Sequence, residues 1–137
     1  MPTTGYSGTP LAKKLGLKSG FKCWFFNAPE HYFELFDDLP ADLNQTADLQ
    51  NDMDFAHLFC TQKQELENSM QGLAMKLKKD GLIWISWPKG TSKIPTDINR
   101  EVVREVGLNA GLVDVKVAAI DENWSGLKFV YRLKDRK

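Results

Sequence analysis

The sequence predicts an α/β protein: a three-layer αβα sandwich on a mainly parallel sheet that ends in an antiparallel hairpin. Three observations carry this. Segments of strand composition alternate with segments of helical periodicity, the pattern of right-handed crossovers in a parallel sheet. The stretch Gly81–Lys89, GLIWISWPK, is a β-branched and aromatic run stopped by Pro88, as in a strand buried on both faces. The chain then closes with two strand-like runs separated by a polar turn, Asp121–Gly126, which reads as a hairpin.

With 137 residues, 42% hydrophobic and 26% charged, the chain fits one globular domain over residues 9–137. Residues 1–8 carry Thr, Ser and Gly and are expected to form a loose arm. Eighteen basic residues balance eighteen acidic ones, which argues against nucleic acid or an anionic membrane as partner. No apolar run approaches the roughly 20 residues of a membrane helix. The N-terminal MPTTGYSGTPLAKK has no basic-then-apolar signal pattern, so a cytoplasmic location is expected. Cys23 and Cys60 are too few for a disulfide framework or a zinc cluster. On parallel strands in simple register they would lie about 15 Å apart at ~3.3 Å per residue, beyond disulfide reach.

Taken in order, Thr9-Pro10 opens a short helix, with Thr9 as cap, Leu11 and Leu15 on its apolar face and Gly16 as its stop. Phe21–Asn27 is the first strand. A helix beginning at Pro29 and ending at Pro40 would bury Tyr32, Phe33, Phe36 and Leu39. Leu43–Ala47 is a short edge strand and Met53–Cys60 a full one. Thr61 and Gln64 have the spacing of a capping box. They open a helix whose stripe is Leu66, Met70, Leu73, Ala74 and Leu77, with Gly81 as its stop. After the loop Gly90–Pro95, a helix from Asn99 to Gly111 buries Val102, Val103, Val106 and Ala110. Gly107 within it costs about 1 kcal/mol relative to Ala. Val113–Ile120 alternates, with Val113, Val115 and Val117 on one face, and Leu127–Leu133 returns beside it.

The order LKKDGLIWISWPK, then a helix ending in Gly111, then the hairpin resembles the second half of a class I methyltransferase fold, which is Rossmann-like. The first half is shorter than that fold normally has. At a closer level the chain resembles a family of small bacterial proteins known as a domain of unknown function. The matching stretches are SGTPLAKKLGLKSG (7–20), NAPE (27–30), DFAHLF (54–59), ISWPKG (85–90), PTDI (95–98) and GLVDVKVAAIDENWSGLKFV (111–130). The resemblance implies a Rossmann-like fold and supplies no catalytic residues.

Ligands of open parallel sheets bind at the carboxyl ends of the strands. The residues there are Asn27, Glu30, Thr61, Ser86, Trp87 and Lys89, and these are the candidate ligand-binding set. The first strand-to-helix turn, Asn27-Ala28-Pro29-Glu30, has no glycine. Pro29 has no N–H, and Glu30 puts a carboxylate where a phosphate would sit. A phosphate-bearing cofactor is therefore disfavoured, and no cofactor or metal is assigned. S-adenosylmethionine has no phosphate, but it also needs close backbone approach and an acidic residue ending the next strand, which is weak here.

No catalytic set emerges. His31 beside Glu30 reads as a general base or, since no nucleophile is paired with it, as an exposed histidine. His57 between Phe55 and Phe59 reads as a neutral core histidine, with a pH or metal role as the alternative. Cys60 at a helix start could have a lowered pKa, though burial as a small apolar residue is the simpler reading. Ser86 lacks a Gly-x-Ser-x-Gly context. Trp87 and Lys89 either stack on and neutralise an anionic ligand, or close the core and face solvent. Trp124 either packs on the sheet or anchors a partner. The preferred reading is a non-catalytic domain acting through an unknown protein partner or self-association. The alternative is a small-molecule-binding protein or enzyme using the strand-end cleft.

Overall fold

The computed structural model describes residues 9–135; the expected arm over 1–8 lies outside them. Its six strands are β1 (Lys22–Phe26), β2 (Asn44–Gln45), β3 (Met53–Phe59), β4 (Leu77–Pro88), β5 (Leu112–Ala119) and β6 (Trp124–Tyr131). They form one sheet in the order β2-β1-β3-β4-β6-β5. The pairings from β2 to β4 are parallel, and β4–β6 and β6–β5 are antiparallel. The expected fold class is thus the observed one. Strand β4 is where parallel pairing gives way to antiparallel.

Both faces of the sheet are covered, as the apolar runs demand. One face carries Ala56, Leu58, Ile83, Ile85 and Trp87 under helices α2 (Lys63–Lys76) and α3 (Arg100–Asn109). The other carries Cys23, Phe55, Phe59 and Trp84 under helix α1 (Leu11–Leu15) and the segment around Tyr32 and Phe36. Trp84 is fully buried, so its indole N–H needs an acceptor. It donates to the carbonyl of Leu15 at 2.8 Å, tying the end of α1 to the centre of the sheet. Gly16 at φ 81 closes that helix in the left-handed conformation that glycine adopts freely.

Several local expectations are corrected. Helix α1 is capped from a distance: Asp38 accepts from the backbone N–H of Ala12 at 3.0 Å and of Lys13 at 3.1 Å. The segment after Pro29 is a single 3-10 turn, Tyr32–Leu35, with Phe33 at the surface. The Thr61–Gln64 capping box does not form; Asp97 accepts from Lys63 N–H at 2.7 Å instead. Helix α2 ends at Lys76, because Leu77 is drawn into the sheet opposite Met53. From there β4 advances five residues, to Leu82, while β3 advances two, to Phe55. Gly81 lies in this bulge and is not the helix stop. A Cβ on it would come 2.9 Å from the Met53 carbonyl oxygen. In β5 the register shifts between Asp114 and Lys116, and Val115 and Val117 are 52% and 49% exposed. The outermost strand does not bury the alternating face its sequence suggests.

Gly107 sits in α3 because the helix lies directly on Phe129. A Cβ there would fall 2.1 Å from Phe129 Cε2, and Phe129 is fully buried. Gly107→Ala should destabilise the fold by about 1–3 kcal/mol through overpacking, against the ~1 kcal/mol of helix propensity it gains. Urea midpoints at constant slope measure this. Gly90→Ala, whose Cβ meets nothing within 4 Å, should stay within about 0.5 kcal/mol of the parent.

Candidate functional site

The carboxyl ends of β1, β3 and β4 lie side by side, since Phe26 pairs with Leu58 and Phe59 with Ser86. Asn27 ends β1 with φ 57, the left-handed region that asparagine tolerates better than most residues. It is exposed, and its Nδ2 donates to Glu65 Oε2 at 3.0 Å, which ties the end of β1 to the first turn of α2. Glu30 is exposed. Thr61 is half-buried, and its carbonyl accepts from Thr96 Oγ1 at 2.6 Å and from Asp97 N–H at 3.2 Å.

The end of β4 divides between the two faces by strand alternation. Trp87 is 8% exposed and packs on the α2–α3 face. Ser86 is fully buried and turns toward His57 on β3, whose Nε2 lies 2.7 Å from its Oγ. Lys89 is half-buried; its N–H donates to the Asn123 carbonyl at 2.8 Å, and its carbonyl accepts from Ser92. The six candidates therefore sit at one end of the sheet without forming one constellation. Asn27 and Thr61 border the start of α2, Ser86 and Trp87 point to opposite faces, and Lys89 joins the hairpin turn.

Two polar groupings emerge that sequence spacing does not reveal. In the first, His31 Nε2 lies 2.8 Å from Asp121 Oδ2, across 90 positions of sequence. Asp121 is itself buried, and its Oδ1 accepts from the N–H groups of Asn123 and Trp124 at 2.8 and 2.9 Å. A single carboxylate thus shapes the hairpin turn and ties it to the segment after β1. Trp124 packs edge-on against Phe59, with centroids 5.1 Å apart.

In the second, Tyr32, His57 and Ser86 form a hydrogen-bonded chain with no exposed surface: Tyr32 Oη lies 2.8 Å from His57 Nδ1, and His57 Nε2 bonds Ser86. His57 also stacks on Phe59 at 4.3 Å between centroids. Burial holds its pKa down at about 3, so the imidazole is neutral. Burial likewise raises the Tyr32 phenol well above its ordinary value, with a smaller electrostatic contribution from the nearby Cys23. Cys23 and Cys60 are both buried free thiols. Each is pushed up to about 12, chiefly by burial and further by Asp54 and Glu65 respectively. The lowered pKa considered for Cys60 is therefore corrected: the apolar surroundings outweigh the helix terminus. Among the described residues, no group of three or more His, Cys, Asp or Glu side chains could hold a metal ion. Among the same residues, no helix is long and apolar enough to cross a membrane.

Residues 34–133 match the family described as "Protein of unknown function (DUF3052)". The chain belongs to this family. No curated protein matches it significantly. Among solved structures, this DUF3052 protein is similar to a SAM-dependent methyltransferase from Aquifex aeolicus, at 13% identity and TM-score 0.61, covering 87% of this chain and 86% of that one. It is similar to magnesium protoporphyrin IX methyltransferase from Synechocystis at 10% identity and TM-score 0.60, covering 89% and 78%. Fibrillarin from Aeropyrum pernix, solved with natively bound S-adenosyl-L-methionine, aligns at 11% identity and TM-score 0.59, covering 87% and 72%. The DUF3052 chain therefore has a Rossmann-like, methyltransferase-like fold.

The neutral His57 makes a pH prediction. Its folded pKa lies below the ordinary histidine value, so the unfolded chain binds the extra proton. Its contribution is complete above about pH 6.5 and is lost as pH falls toward about 3. Across that window stability should fall by up to about 1.4 kcal/mol per pH unit from this group. Comparing urea unfolding of the parent and His57→Gln between those limits isolates the slope, which should be shallower in the variant. An identical slope would mean that His57 is not held neutral.

Proposed function

We propose that this protein is a non-catalytic Rossmann-like domain that acts through protein association. The observation that carries this reading is that three polar side chains at this end of the sheet are held by bonds within the chain. Asn27 bonds Glu65, His31 bonds Asp121, and Ser86 bonds the buried His57. The turn after β1 supports the same reading. It has no glycine, Pro29 offers no N–H, and its carbonyl accepts from Tyr32 to close the 3-10 turn. The glycine-rich turn through which a helix start approaches a cofactor is thus not present after β1.

A second reading follows from the fold shared with methyltransferases. In it a small molecule, S-adenosylmethionine first, occupies the carboxyl ends of the strands against Asn27, Glu30, Thr61, Ser86, Trp87 and Lys89. One experiment separates the two. A ligand at about 100 times its Kd stabilises the folded state by about 2.7 kcal/mol, on the order of 10 °C in Tm for a domain of this size. Thermal shift with S-adenosylmethionine, S-adenosylhomocysteine, ATP and NAD should show no ligand-specific rise. A saturable rise with any of them, abolished by Asn27→Ala or Lys89→Ala, would overturn the non-catalytic reading in favour of the second.

A further inference from the structure

The balanced charge of the chain conceals a strong separation of charge. Residues 37–54, DDLPADLNQTADLQNDMD, contain six aspartates and no lysine or arginine, leaving twelve acidic against eighteen basic residues in the rest. This acidic segment contains β2, one outer strand of the sheet, whose two residues are both exposed. Three of the six aspartates have local work. Asp38 caps α1, Asp54 pairs with Lys78 at 3.1 Å, and Asp42 accepts from Ser19. Asp37 and Asp48 are exposed and form no ion pair among the described residues.

At the other side of the sheet lies a stripe of lysines. Lys116 on β5 stands opposite Lys128 on β6. Lys116 Nζ donates to the Lys14 carbonyl at 3.3 Å, and Lys14 Nζ donates to the Ala119 carbonyl at 2.9 Å. A Cβ on Gly16 would come within 3.7 Å of Lys128 Nζ. Lys89 and Lys18 extend the stripe at its two ends. The lysines are close enough to disfavour one another's charge. Burial first, then Lys116 and Lys89, lower the pKa of Lys14; burial, then Lys116 and Lys18, lower that of Lys128. Beside the stripe, on the outer strand, Val115 and Val117 expose about half of their surface.

Six strands spaced at ~4.8 Å put the two outer strands about 24 Å apart. That exceeds the ~10 Å screening length at 0.1 M salt, so over most of their extent the two regions do not neutralise each other within one molecule. They adjoin at Lys18, which precedes the Ser19 that bonds Asp42. Each region also takes in a sheet edge, β2 on one side and β5 with Lys116 on the other, the part of a β-structure most ready to receive another chain.

We infer that the lysine-bearing β5–β6 edge docks the acidic β2 edge of a second copy of this chain, in a head-to-tail arrangement. The inference rests on the association reading and names its partner. A contact between two different surfaces does not close on itself as a two-fold dimer does; it extends into a ring or an open chain. Assembly should therefore grow with concentration and dissolve as salt shortens the screening length to about 3 Å near 1 M.

Sedimentation equilibrium tests this with two variants of exposed residues: Lys18→Glu with Lys116→Glu, and Asp37→Lys with Asp48→Lys. The parent should self-associate at low salt and be monomeric at high salt. Each variant alone should associate at least tenfold more weakly. Mixed in equal amounts, they should associate again, because each retains the edge the other lacks, and that rescue also shows that both are folded. A parent that stays monomeric at low salt overturns the inference, as does a mixture that fails to complement. So does low-salt binding of oligoglutamate or an oligonucleotide to the lysine stripe without self-association. None of these results changes the thermal-shift outcome on which the association reading is judged.

Discussion

Strand β4 is the constraint on which the rest of the structure depends. It is paired on both edges and covered on both faces, so every other element is placed by the need to satisfy it. Its parallel edge requires β3 and a crossover, which α2 supplies. Its antiparallel edge receives β6, which brings the hairpin turn to the same end as the termini of β1 and β3. Its side chains alternate between faces, so Ile83, Ile85 and Trp87 face α2 and α3, while Trp84 and Ser86 face the α1 side. The two polar atoms this places in the core each have a partner: the Trp84 indole on Leu15 and the Ser86 hydroxyl on His57. Leaving either unpaired would cost roughly 1–3 kcal/mol, and no buried side-chain polar atom among the described residues is left without a bond.

The polar chain Tyr32–His57–Ser86 shows how a motif with catalytic residue types can be structural. A histidine between two hydroxyls has the composition of a nucleophile and its base. Here all three groups are at 0% exposure, and burial keeps the imidazole neutral. Proton transfer to a substrate needs access and a pKa near the working pH, and neither is present. What the chain does is join β3, β4 and the turn after β1 through three side chains, in an apolar setting where a satisfied polar network favours one packing arrangement.

Much of the architecture was legible in the sequence, because burial on two faces and helical periodicity leave direct traces in composition. The runs FKCWFF, MDFAHLF and GLIWISWP are all strands, and the paired apolar runs near the end form the hairpin. What failed was anything set by tertiary contact. Helix α2 looked longer because Leu77 continues its stripe, yet the same residue pairs with Met53 in the sheet. Thr61 and Gln64 have capping spacing, but Asp97 reaches the N-terminus first. The valines of β5 alternate correctly, yet the bulge after Asp114 and the edge position leave two of them half in solvent. At the strand ends, the residues were identifiable by position, but their partners were not. His31 and Asp121 are separated by 90 positions, and no local pattern encodes such a contact.

The distribution of polar chemistry also shows what an open α/β sheet can do with the groups at its strand ends. In an open α/β sheet, the strand ends are where backbone and side-chain groups converge without being consumed by the ladder. Whether they form a site depends on what the adjoining turns do with them. Here the turn after β1 contributes an asparagine in a left-handed conformation and a proline, and the hairpin turn contributes an aspartate with both oxygens engaged. Asn27 bonds Glu65 and Asp121 bonds His31, so both are engaged within the chain. Other charge gathers toward the two sides of the sheet, with aspartates around β2 and lysines over β5 and β6. Charge held at the edges of a sheet does little for catalysis, but its field extends into solvent, where it sets how molecules approach and which surfaces meet.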